Sequence, residues 1–154
     1  MHQLIDSHCH WGHPRLQVLQ PELWQSCIAQ GVGQLVVPGT HHASFSRQIS
    51  LCEAHPCWHL ALGLHPYFSD RHTQQHLSDL ADALARHTPV AVGEIGLDFA
   101  LDTNLKGFSM VHQEHWFIAQ VKLAQHAKLP LIVHSQKAND RLGQLLRQLK
   151  FDQG

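Results

Sequence analysis

The sequence predicts an α/β fold of about five parallel strand–helix units, and three observations carry that expectation. Short β-like apolar runs alternate with amphipathic helical stretches over the whole chain. The strand candidates start roughly 25 to 40 residues apart, the spacing of successive βα units. Polar residues recur at one place, the carboxyl end of the proposed strands.

Taken in order, the strand candidates are Leu4–Cys9, Gln34–Pro38, Trp58–Leu64, Val90–Ile95 and Leu131–His134. They are nearly continuous apolar runs, the pattern of parallel strands buried on both faces. The stretches between them carry apolar residues three and four apart. The first has Leu23, Trp24, Cys27 and Ile28, opened by Pro21 and closed by Gly31. Phe45, Ile49 and Cys52 mark the second, and Leu77, Leu80, Ala81 and Leu84 the third. Phe117, Val121 and Ala124 mark the fourth; Leu142, Leu145, Leu146 and Leu149 mark the fifth. Each helix thus has one apolar stripe with which to pack on a sheet. No linker or low-complexity segment interrupts the order, so residues 1–154 read as a single domain.

Composition narrows the function. With 44% hydrophobic residues, 15% charged residues and a net charge of −1, the chain is ordinary for a globular protein and has no bulk electrostatic grip on nucleic acid. Any affinity for phosphate has to come from a local site. No apolar run approaches the roughly 20 residues that span a bilayer, and the N-terminus lacks a basic segment followed by an apolar one. The expectation is a cytoplasmic protein without a membrane partner. Cys9, Cys27, Cys52 and Cys57 fit no zinc-ribbon or disulfide spacing and read as reduced, mostly packed thiols. Sixteen histidines are the outlier. His41, His42, His55, His59, His72, His76, His87 and His126 read as loop or polar-face imidazoles in contact with solvent.

The other histidines are singled out by position. The first strand ends in Asp6-Ser7-His8-Cys9-His10, the third in Gly63-Leu64-His65-Pro66, the fourth in Gly93-Glu94-Ile95-Gly96-Leu97-Asp98 and the fifth in His134-Ser135. The carboxyl edge is where α/β folds collect active sites. In a strand, residues two apart share a face, so His8 and His10 can reach one ion. Imidazole and carboxylate donors suit zinc, manganese and related divalent ions. Five units fit either a doubly wound open sheet or part of a (β/α)8 barrel. Length favours the open sheet, because complete barrels take about 250 residues; the site residues favour the barrel.

The segments Leu4–His10, Gly63–Pro66, Val92–Asp98 and Leu129–Ser135 resemble four successive signatures of the TatD family of metal-dependent hydrolases, in order and near the family spacing. Gln113–Ala124 also resembles the helix before its fifth strand. The resemblance implies a (β/α)8 TIM barrel of which five βα units are present, truncated before the sixth strand. It implies two divalent metal ions (Zn, Mn or Mg), with His8 and His10 on one, His134 on the other and Glu94 bridging both. It further implies deoxyribonuclease chemistry, in which a water activated by two metals cleaves a phosphodiester of DNA or a related substrate. For His65 two roles stand: contacting phosphate or assisting proton transfer, or capping the chain beside Pro66. Asp98 either orients a ligand by a hydrogen bond or is a loop carboxylate after Gly96.

The family continues with a sixth-strand His and an eighth-strand Asp that lie beyond Gly154, and it often has Arg where Gln136 and His112 stand here. A catalytically incomplete chain that binds metal weakly, or self-associates through its unfinished sheet edge, is therefore the alternative function. Another H-x-H barrel hydrolase is a lesser one. An amidohydrolase with two metals would carry a carboxylated Lys where Glu94 stands.

Overall fold

A computed structural model describes residues 3–102, 104, 105 and 107–153. Met1 and His2, part of the stretch read for a leader, lie outside them, as does Gly154. The elements are β1 (Leu4–Asp6), α1 (Gln20–Ala29), β2 (Val32–Pro38), α2 (Phe45–Glu53), β3 (Trp58–Leu62), α3 (Gln74–Arg86), β4 (Ala91–Asp98), α4 (Met110–Ala127), β5 (Leu131–Gln136) and α5 (Asn139–Gln148). Short 3-10 turns at Pro14–Leu16, His42–Ser44 and Pro66–Arg71 follow the first three strands.

The sheet is parallel with order β1-β2-β3-β4-β5. That order decides between the two architectures. A doubly wound sheet reverses direction once, at a switch point. Here each right-handed crossover steps to the next neighbour, which leaves all helices on one side. The five units form an arc of a barrel wall.

The core lies between that sheet and its helices. Leu35, Val37, Leu60, Leu62, Val92, Ile95 and Leu97 come from the strands; Phe45, Leu80, Leu84, Phe117, Val121, Leu142 and Leu145 meet them from the helices. Every residue of β4 is buried. Burial on both faces does not extend to the ends of the arc. Leu4 and Ile5 on β1 are 59% and 57% exposed, and Val133 on β5 is also exposed. The flank strands have a neighbour on one side only.

Strand ends differ from expectation where turns intervene. β1 stops at Asp6, although Cys9 N–H still donates to Val36 O at 2.9 Å and keeps the chain extended along β2. β3 stops at Leu62 and β4 runs on to Asp98. His59 lies in β3, and its ring bonds Gln34 Oε1 at 2.8 Å.

His72 corrects the expectation of a solvated imidazole. It is 8% exposed, with Nε2 donating to His65 O at 3.1 Å and its ring edge-on to Trp116. Burial pushes its pKa down from 6.5 to about 4, with His76 and His112 adding repulsion. The unfolded chain therefore takes up this proton first as pH falls, and the folded state is penalised from about pH 6.5 down to about 4. The full loss is about 3 kcal/mol. Denaturant titrations between pH 7 and 4.5 are expected to show a shallower fall in stability for His72→Gln than for the wild type; parallel curves would contradict this.

Candidate metal centre

The carboxyl edge of the arc gathers His8 and His10 after β1, His65 after β3, Glu94 and Asp98 from β4, and His134 from β5. Glu94 is the centre. Its side chain is almost buried, and each carboxylate oxygen faces two imidazoles. Oε2 is 3.1 Å from His8 Nε2 and 3.4 Å from His10 Nε2. Oε1 is 3.3 Å from His134 Nδ1 and 3.5 Å from His65 Nε2.

Local backbone explains how a strand carboxylate reaches inward. The register of β4 with β5 shifts between Val92 and Ile95, an irregularity that re-aims the side chain within it. Glu94 N–H donates at 2.7 Å to the carbonyl of Gly39, the residue after β2, which holds the re-aimed residue. Gly63 lies so close that a Cβ there would come within 2.8 Å of Gly93 C and 2.9 Å of Glu94 O. Gly96, at φ +151°, has His134 O where a side chain would sit. Both glycines let the strands close around Glu94.

Electrostatics agree with the geometry. Burial alone would raise the pKa of Glu94, but hydrogen bonds from His10 and His65 and the nearby imidazole charge hold it well below the usual carboxylate range. The same carboxylate raises His10, against a smaller opposing effect of burial.

The donor set fits divalent cations. His8 Nε2 and His10 Nε2 are 3.3 Å apart and, with Glu94 Oε2, make a triangle with edges of 3.1, 3.3 and 3.4 Å. Ligands bonded at about 2.0–2.1 Å around one ion lie about 3.0–3.4 Å from one another. His8, His10 and Glu94 form one group that could hold an ion, and His65, Glu94 and His134 a second.

Ring nitrogens separate the members of the second group. His134 Nε2 faces Asp98 Oδ2 at 3.2 Å. A proton on Nε2 donates to that carboxylate and leaves the Nδ1 lone pair aimed at Glu94 Oε1. Two acceptors 3.3 Å apart are repulsive unless a cation lies between them. Asp98 ends β4, with its carboxylate against His134 Nε2. His65 is the opposite case. Its Nδ1 accepts from Tyr67 N–H at 3.0 Å, so the neutral ring carries its proton on Nε2 and presents a donor to Glu94. The cap to Tyr67 and the approach to Glu94 are made by the two nitrogens of one ring. Of the two remaining positions, Gln136 ends β5 and is exposed, whereas His112 is turned away onto Ser69 O and Trp116.

Two residues that sequence reasoning missed stand behind the site. Gln113 and Gln120 are 1% exposed on α4. Gln120 Oε1 accepts from Leu64 N–H at 2.7 Å, and its Nε2 donates to Leu64 O at 3.1 Å, fixing the residue before His65. Gln113 does the same for Asp98, at 2.7 and 2.9 Å. Each amide substitutes for a further strand at a strand end. The signal for them is two polar residues seven apart on the apolar stripe of a helix. Gln120→Met keeps the shape but orphans both backbone groups, so a loss of about 2–4 kcal/mol is expected in urea unfolding. A change under about 0.5 kcal/mol would contradict the clamp.

Comparison with known proteins agrees with this picture. Residues 5–154 match the family model described as TatD related DNase. An uncharacterized metal-dependent hydrolase of Escherichia coli K12, YjjV, is 35% identical over 148 residues, covering 94% of this chain and 55% of its own length. A 3'-5' ssDNA/RNA exonuclease TatD of Edwardsiella piscicida is 35% identical over 130 residues, covering 82% of this chain and 48% of its own. The crystal structure of E. coli YjjV superposes with a TM-score of 0.90 over 96% of this chain and 56% of that one. The chain therefore spans about half the length of the curated relatives it matches, and its five-stranded arc corresponds to a part of their fold. From the matched residues, the strand order and the convergence of motifs, the chain belongs to the TatD-related DNase family of metal-dependent hydrolases.

Proposed function

We propose that this chain carries the metal-binding half-site of a phosphodiester hydrolase acting on DNA or a related nucleic acid, with two divalent ions sharing Glu94. The observation that carries the reading is the arrangement around one carboxylate, with an imidazole pair on each oxygen. His8 and His10 would hold one ion and His134 the other. Zinc, manganese and magnesium remain the candidates, with the three imidazoles favouring the first two. Bound divalent ions would neutralise charge on the phosphoryl oxygens and make an attacking water more acidic.

The protein's own groups have distinct tasks. Glu94 supplies the negative charge that draws cations to the edge. Asp98 holds His134 in one tautomer. His65 carries its proton on Nε2, the nitrogen facing Glu94 Oε1, and would donate it to a phosphoryl oxygen or to the alkoxide that leaves as the P–O bond breaks. Gln120 is the positioning residue for His65. The four unpaired cysteines support action in a reducing compartment such as the cytoplasm. Among the described residues no helix is long and apolar enough to cross a membrane.

Metal removal tests the reading. Hydrolysis of a single-stranded oligonucleotide is expected to cease after chelation and return with zinc, manganese or magnesium; hydrolysis that survives chelation contradicts it. One observation favours a second reading. Among the described residues the first candidate group offers three protein ligands and the second, with His65 as a proton donor, two. A chain that takes up metal and turns over no diester would be a binder rather than a hydrolase.

A further inference from the structure

β2 is the one strand whose carboxyl end supplies no member of the Glu94 cluster, yet its carbonyls hold the segments that do. Val36 O accepts from the N–H of Cys9, between His8 and His10, at 2.9 Å. Gly39 O accepts from Glu94 N–H at 2.7 Å, and Thr40 O from His65 N–H at 2.9 Å. Gly39 and Thr40 lie past the end of β2 at Pro38, so what fixes them also fixes Glu94 and His65. On one side Gly39 N–H reaches Ala61 O and Gly93 O, at 2.8 and 3.0 Å.

Gln48 holds the other side. It lies on α2 and is 5% exposed. Its Nε2 donates to the carbonyl of Pro38, the last of β2, at 2.8 Å, and its Oε1 has Ser44 Oγ at 3.0 Å. The same side chain meets the loop after β1. A Cβ on Gly12 would come within 3.1 Å of Gln48 Cγ, and one on Gly39 within 3.2 Å of Gln48 Oε1. One neutral amide therefore lies between the loop two residues after His10 and the peptide that holds Glu94. Methionine would fill the same space but remove the donor to Pro38 O, and buried carbonyls are seldom left without one. A carboxylate would set a second acceptor against that carbonyl.

We propose that Gln48 is a positioning residue for the metal centre. By bracing residues 38–40 against Gly12, it sets the distance between His10 and Glu94 and the aim of His65. This rests on reading the Glu94 cluster as a metal centre, and it deepens that reading by naming a residue outside the cluster on which cation affinity depends.

The first test needs no metal. In amide hydrogen exchange followed by NMR, Gln48→Met is expected to speed exchange at Glu94 and His65 about tenfold or more. Val92, whose N–H is held by Pro130 O at 2.9 Å on the same strand as Glu94, is expected to change less. Ser44→Ala, a milder variant that removes one partner of the Gln48 amide, should move the same two amides in the same direction. Exchange that stays at the wild-type rate at Glu94 and His65, or rises equally at Val92, overturns the proposal.

The second test is Zn²⁺ affinity, measured by competition with a chromophoric chelator. Gln48→Met is expected to bind Zn²⁺ about tenfold to a hundredfold more weakly than the wild type. Gln125→Met is the control for a merely structural clamp, since Gln125 Nε2 donates to Leu149 O at 2.9 Å, after α5 and outside the cluster. It should lower stability and leave Zn²⁺ affinity unchanged. Equal affinities in wild type and Gln48→Met, or equal losses in both variants, overturn the positioning role and leave the metal centre standing. A wild-type chain that takes up no Zn²⁺ removes the metal centre and this proposal with it, whatever the amides do.

Discussion

Glu94→Gln is expected to lower metal-dependent phosphodiester hydrolysis by about a hundredfold to a thousandfold, the largest effect of any conservative substitution in this chain. The amide is isosteric, so the packing of β4 survives. The charge does not. Each of four imidazoles now faces an oxygen of one carboxylate, and glutamine leaves a neutral carbonyl on one side and an N–H2 donor on the other. The donor would point at ring nitrogens that need their lone pairs for an ion. Both candidate groups are weakened by one change, because both share this residue. Steady-state rates at increasing metal concentration would show the loss, with His126→Gln on an exposed position as the control. Equal rates in wild type and Glu94→Gln would remove Glu94 from the chemistry.

The second large effect is on stability. Trp11→Ala is expected to cost about 3–5 kcal/mol in denaturant unfolding. Trp11 directly follows His10, is 5% exposed, and packs edge-on against Trp24 and Trp58 with centroids at 6.4 and 5.6 Å. Its carbonyl accepts from Gln20 Nε2 at 2.6 Å, which ties the loop after β1 to the start of α1. The loop carrying both first-strand histidines thus hangs on this indole. Trp11→Phe should cost clearly less, since it keeps an aromatic ring and removes an indole N–H that has no hydrogen-bond partner among the described residues. A loss below about 1 kcal/mol for the alanine variant would contradict the anchoring role.

Much of the fold can be read from the amino-acid sequence alone. The five strands and five helices follow from hydrophobic period, because buried parallel strands and one-sided helices leave different patterns in sequence. The site is legible for a related reason. Parallel βα units all deliver their strand ends to one edge, so His8, His10, His65, Glu94, Asp98 and His134 have to be near neighbours. Period cannot report what depends on three-dimensional neighbours. The choice between open sheet and barrel arc lies in strand order. His72 reads as a solvated imidazole because no local pattern records that α4 brings Trp116 beside it. Gln113 and Gln120 read as ordinary helix residues because their partners are backbone groups at distant strand ends. Asp98 follows a glycine closely and can pass for a loop residue, yet β5 extends far enough to pair with it through Gln136.

The ring-nitrogen assignments sharpen what the family resemblance implies. They set His134, whose Nδ1 lone pair faces Glu94 when Nε2 donates to Asp98, apart from His65, whose cap to Tyr67 makes it a donor. That division can be read directly. In a Zn²⁺ titration followed by imidazole ¹H–¹⁵N NMR, the resonances of His8, His10 and His134 are predicted to move together and saturate. His65 should keep its Nε2 proton, and His126 should stay in place. If His8, His10 and His134 stay where they are while exposed histidines such as His126 respond, the Glu94 cluster is not a metal centre.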